Sequence, residues 1–102
     1  MEGHQTSIEK LQGWFQSACD GAWEHDKGIS IQTLDNPGWS LTIDLAGTAL
    51  NAATMKHYSH NRGEEDWVYC KVELDQFIAA GDPSKLEWMI EFFCNWATGT
   101  KD

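Results

Sequence analysis

Positive charge is scarce in this chain: seven Lys and Arg stand against 16 Asp and Glu, a formal net charge of -9 over 102 residues. Nucleic-acid affinity comes largely from cationic side chains that displace counterions from phosphates, so no direct nucleic-acid ligand is expected. The same acidity suits encounter with a basic protein, because complementary potentials speed association, although its plainer reading is solubility. Cysteine is sparse too. Cys19, Cys70 and Cys94 are odd in number and widely spaced, forming neither a disulfide framework nor a CxxC pair, which fits a reducing compartment. No apolar run approaches membrane-spanning length, and the opening MEGHQTSIEK lacks a basic stretch followed by an apolar one. A cytoplasmic protein without a membrane partner is expected. Catalytic patterns are missing as well: there is no GxGxxG, GxSxG or HExxH, no phosphate-binding GxxxxGK, and no Cys followed by Arg at the spacing of a phosphate loop. No cofactor and no catalytic residue are expected.

What the chain has in quantity is aromatic surface, with six Trp and four Phe, enough for one compact domain spanning residues 1–102. Residues 28–45 read as a β-hairpin. Ile29, Ile31 and Thr33, then Trp39, Leu41, Ile43 and Leu45, alternate around a break in which Pro37 and Gly38 suit the centre of a type II turn. Thr6, three residues before Glu9, has capping-box spacing and opens a helix over residues 7–19 with the stripe Ile8, Leu11, Trp14, Phe15, Ala18 and Cys19. Residues 20–27 form a polar connection, with Trp23 as an anchor to the core or a contact residue. Residues 55–61 alternate weakly and suit an edge strand, and residues 67–72 make a better one with Val68, Cys70 and Val72 on one face. The short apolar piece 77–80 pairs briefly at most. Asp82 before Pro83 marks the start of a helix over residues 83–98 whose core stripe is Leu86, Met89, Ile90, Phe93 and Ala97. Trp88, Phe92 and Trp96 on its flank pack beside the first helix or mark an interface, including that of a homodimer. The expected fold is α+β: an antiparallel sheet of three to four strands, with the N-terminal and C-terminal helices on one face, in the order α-β-β-(β)-β-α.

Chemistry-bearing residues occur only as clusters. Asp20, Glu24, His25 and Asp26 beside Cys19 are metal-ligand types without metal-ligand spacing, so a solvated acidic loop is the better reading and no metal is expected. His57 and His60 fall on opposite faces of a strand and read as surface residues. Glu64, Glu65 and Asp66 lead into Trp67; consecutive turn carboxylates stay solvated, which disfavours acid-base catalysis and favours contact with Arg or Lys of a partner. An enzyme using Trp23, Glu24, His25 and Asp44 in a pocket beside the sheet is the alternative.

The stretch from Trp14 through Trp96 resembles the immunity protein 53 family of bacterial polymorphic-toxin systems. The resemblance rests on Trp14-Phe15, Cys19-Asp20-Gly21, Trp23-Glu24-His25, Gly28-Ile29, Ile43-Asp44-Leu45, Thr48, Asp66-Trp67, Cys70 and the final helix. Its most specific part is the unbroken run from Thr33 to Trp39, TLDNPGW. Gly81-Asp82-Pro83 stands where Gly-Gly-Pro is expected, and residues 51–64 match nothing. The resemblance implies a small non-enzymatic cytoplasmic antitoxin, monomeric or homodimeric, that binds and neutralises a cognate toxin. Occlusion of a basic toxin surface is the expected mechanism, with Glu24, Asp35, Asp44, Glu64, Glu65 and Asp66 supplying charge and Trp23 or Trp67 an anchor. A nuclease toxin, with its basic phosphate-binding cleft, would suit such an acidic plug.

Overall fold

The computed structural model describes residues 5–99. Its elements are α1 (Ser7–Ala18), α2 (Trp23–Asp26), β1 (Ile29–Leu34), β2 (Gly38–Asp44), β3 (Tyr58–Asn61), β4 (Trp67–Glu73), β5 (Gln76–Gly81) and α3 (Leu86–Ala97). The five strands form one antiparallel sheet in the order β1-β2-β5-β4-β3. The α+β architecture with its N-terminal and C-terminal helices is as expected; the sheet has five strands rather than three to four, and the single-turn α2 is additional.

The additional strand is the central one. β5 pairs with β2 on one side and β4 on the other, so the weak piece 77–80 lies at the middle of the sheet and the hairpin of residues 28–45 toward one edge. Two features hide it in the sequence. Its small residues Ala79, Ala80 and Gly81 carry low strand propensity, yet all are buried. The turn before it, Leu74-Asp75, has φ values of 53° and 59°, a left-handed pair that is usually Asn-Gly, so no turn residue announces it.

Alternation sorts the side chains. Trp39, Leu41 and Ile43 of β2, Val68 and Cys70 of β4, and Phe77 and Ala79 of β5 point to the helices, where Met89, Ile90 and Phe93 of α3 complete the core. Each fully buried Leu, Ile, Val, Phe or Met side chain among them contributes about 1.5–3 kcal/mol. The aromatic centre is built edge-on: Phe93 lies 5.0 Å from both Phe77 and Trp14 between ring centroids. α1 rests on α3 through Leu11 and Trp14 and through Ser7, whose hydroxyl donates to Glu91 at 2.6 Å, with Lys10 paired to the same carboxylate. The Thr6–Glu9 capping box opens α1 as its spacing predicts. Its buried face is rotated from the expected stripe, however: Ile8 and Phe15 are 52% and 39% exposed while Ser7 is buried. Trp88 and Phe92 stack with each other and lie against Tyr58 of β3, so the flank of α3 meets the sheet rather than α1.

Gly38 does not sit inside the turn. The turn is Asp35, Asn36 and Pro37, and Gly38 opens β2 opposite Leu34. What requires glycine there is proximity: a Cβ on Gly38 would lie 2.4 Å from the carbonyl oxygen of Gly81. Gly38→Ala is therefore expected to lower stability by about 1–3 kcal/mol, read as a lower urea midpoint at unchanged slope. An unchanged midpoint would mean that β2 and β5 do not approach so closely.

Candidate functional site

The register places five of the expected contact residues at one end of the sheet. Asp35 lies in the β1–β2 turn, and Glu64, Glu65 and Asp66 lie in the turn that leads into Trp67 at the start of β4, opposite the end of β5 at Gly81. Asp35, Glu64 and Glu65 are exposed, and Trp67 is half-buried. Trp67 alternates with Val68 and Cys70, so its ring belongs to the sheet face away from the helices, with Tyr69 and Ile78 further along.

Beneath this rim lies a polar lock built on Asp82, which is 1% exposed. One carboxylate oxygen accepts the backbone N–H of Trp67 at 2.8 Å and the Lys85 amino group at 2.7 Å. The other accepts the backbone N–H and the hydroxyl of Ser84 at 2.7 and 2.6 Å. Lys85 also reaches Asp66 at 2.8 Å, and Asp66 faces the His60 imidazole at 3.3 Å. Trp39 adds a tie by donating its indole N–H to the Pro83 carbonyl at 3.0 Å. Burial alone would push the Asp82 carboxyl up, but the bonds from Lys85, from the Ser84 side chain and from the amides of Ser84 and Trp67 hold it well below the usual carboxylate range. The Asp66 carboxyl is lowered by its bonds to Lys85 and then His60, and the Lys85 amine is raised by Asp66 and then Asp82.

This lock changes the reading of Asp82. It does not cap a helix at residue 83; α3 starts at Leu86, and Asp82 instead braces the turn at Ser84 and ties it to β4. A Lys three residues after an Asp was the available signal, but only the sheet brings Trp67 and Asp66 to it.

The remaining expected contact residues lie at the opposite end and are engaged internally. Trp23 is 3% exposed, donates its indole N–H to the Asp44 carbonyl at 3.2 Å and meets Trp14 and Phe15 edge-on, which makes it an anchor for the loop. It sits on the single-turn α2, in a segment expected to be irregular. Glu24 accepts the backbone N–H groups of Asp20 and Gly21 at 3.0 and 2.8 Å. Asp44 accepts from the Gly28 amide at 2.9 Å and the Gln76 side chain at 2.8 Å. Asp20 accepts the amides of Trp23 and Ala22, which lowers its carboxyl. The shallow depression beside Trp23, 260 Å³ in volume, is lined by neither Glu24, His25 nor Asp44. Among the described residues no group of three or more His, Cys, Asp or Glu side chains could hold a metal ion, and no helix is long and apolar enough to cross a membrane. Cys70 and Cys94 are buried free thiols, and burial pushes Cys70 up to about 12, which leaves it protonated and unreactive.

No match was found among curated proteins or among solved structures. The family model described as immunity protein 53 matches residues 8–98, from α1 through the end of α3, and so takes in both ends of the sheet and the lock between β4 and α3. The chain belongs to the immunity protein 53 family.

Proposed function

We propose that this immunity protein neutralises its cognate toxin by laying the acidic end of the sheet over a basic surface of that toxin. Trp67 is the anchor, Glu64 and Glu65 are the charged rim, and Asp35 stands apart in the β1–β2 turn. The observation that carries this reading is the pairing of exposed carboxylates with a half-buried Trp on a backbone held by Asp82. An interface anchor must be both accessible and pre-positioned, because ordering it on binding costs affinity. Asp66 serves the lock more than the rim, since Lys85 occupies one of its oxygens. Trp23, being buried, supports the fold, while Glu24 and Asp44 add to the negative field from the far end. A phosphate-binding cleft such as a nuclease carries would complement this charge, and the protein would act in the bacterial cytoplasm as a non-enzymatic inhibitor.

The test is binding to the toxin encoded beside this protein's gene. Wild type is expected to co-purify with it and suppress its toxicity, and Trp67→Ala to weaken the complex at least about 30-fold, roughly 2 kcal/mol. Thermal unfolding checks that the variant stays folded at the assay temperature. Wild type failing to bind would remove the reading, and full affinity in the Trp67 variant would move the anchor elsewhere.

A further inference from the structure

The two edges of the sheet differ in how they are protected. β3 is four residues long and carries His60, with Lys56 just before it. β1 has six residues, ISIQTL, without charge or proline. It therefore lacks the usual devices that keep an exposed edge from pairing with another strand. Asp44 donates its N–H to the Gly28 carbonyl at 3.1 Å, so alternation along the antiparallel ladder turns Ser30, Gln32 and Leu34 toward β2. The N–H and C=O groups of Ile29, Ile31 and Thr33 are left facing outward. Ile31, in the middle of the strand, is 40% exposed.

We propose that β1 is a homodimer interface, at which a second copy of this chain adds its own β1 antiparallel to form a continuous ten-stranded sheet. A two-fold axis through Ile31 sets Ile29 of each copy opposite Thr33 of its partner, so the three outward donors and three outward acceptors of one strand meet those of the other. The same axis brings Lys27, two residues before the strand of one copy, to the end where Asp35 opens the turn after the strand of the other. Lys27 is exposed and extended, with φ -124° and ψ 178°, and Asp35 is exposed; neither has a side-chain partner among the described residues. Dimerisation gives each charge its complement, twice over. Elsewhere two chains of net charge -9 repel. The uncharged strip between a cation and an anion equally spaced from its centre is self-complementary, and that favours a second copy over an unrelated strand.

Sedimentation equilibrium over a dilution series tests this with wild type, Ile31→Lys, Lys27→Glu, Asp35→Lys and the double exchange Lys27→Glu/Asp35→Lys. Wild type is expected to be a dimer at micromolar concentration, and Ile31→Lys a monomer with an unchanged circular dichroism spectrum. Each single charge reversal should weaken the dimer about tenfold, and the double exchange should restore it. The charge exchange keeps the test decisive if Ile31→Lys fails to fold. A wild type that sediments as a monomer throughout, a dimer indifferent to Ile31→Lys, or a double exchange as weak as its parents would each overturn the proposal.

Discussion

Asp82→Ala is expected to lower the stability of the domain by about 3–4 kcal/mol, a large share of what a domain of this size has. The side chain is enclosed and accepts four bonds, from the Trp67 amide, the Ser84 amide and hydroxyl, and Lys85. Removing it leaves the Trp67 amide unpaired and strips Lys85, itself largely buried, of its nearer carboxylate. The loss should appear as a lower urea midpoint. Because the Asp82 carboxyl is depressed in the folded protein, its stabilisation is complete above the ordinary value of 3.8 and is lost progressively as pH falls below that value. Asp66 is lowered too and acts in the same direction. Wild type should therefore lose stability between about pH 4 and pH 2, and Asp82→Asn, lacking the titrating group, should show a shallower loss there. A variant as stable as wild type, or one with the same acid slope, would show that the lock contributes nothing.

Phe77→Ala is the second large effect, expected at about 3–5 kcal/mol. Phe77 is fully buried on the central strand, with its ring 5.0 Å from Phe93, 6.1 Å from Trp96 and 6.4 Å from Phe92. Truncation opens a cavity where the sheet meets α3, and helix and sheet are too closely packed to collapse into it. Phe15→Ala is the control: that ring is 39% exposed, so about 1 kcal/mol or less is expected. Comparable losses at Phe15 and Phe77 in chemical denaturation would mean that β5 is not the centre of the core.

Strong local patterns were legible in the sequence, while features made by tertiary contact were not. The α1 cap, the β1–β2 hairpin, the β4 alternation and the α3 stripe each follow from residues within a few positions of one another, and each is present. β5 is weak in the sequence because its identity comes from its neighbours: its small residues Ala79 and Ala80 are buried where it lies between β2 and β4 and against α3. For the same reason the sequence presents Gly38 as a turn residue, whereas what requires glycine there is the Gly81 carbonyl on another strand. The candidate site divides likewise. Glu64, Glu65, Asp66 and Trp67 form a contiguous run legible as one cluster, whereas Trp23, Glu24 and Asp44 have the right chemistry for contact but are held by the Asp44 carbonyl and by the amides of residues 20, 21 and 28. The Asp82–Lys85–Asp66–His60 chain joins positions from three parts of the sequence.

Charge at the acidic end can be reversed without touching that chain, because Glu64 and Glu65 are exposed. The most direct measurement is therefore the Kd of the toxin complex for wild type and for Glu64→Lys/Glu65→Lys, at low and at high salt. Occlusion of a basic toxin surface predicts at least about 100-fold weaker binding of the double variant at low salt and a much smaller difference at high salt, where screening shortens the reach of these charges. A Kd that is the same for both proteins at low salt would contradict it.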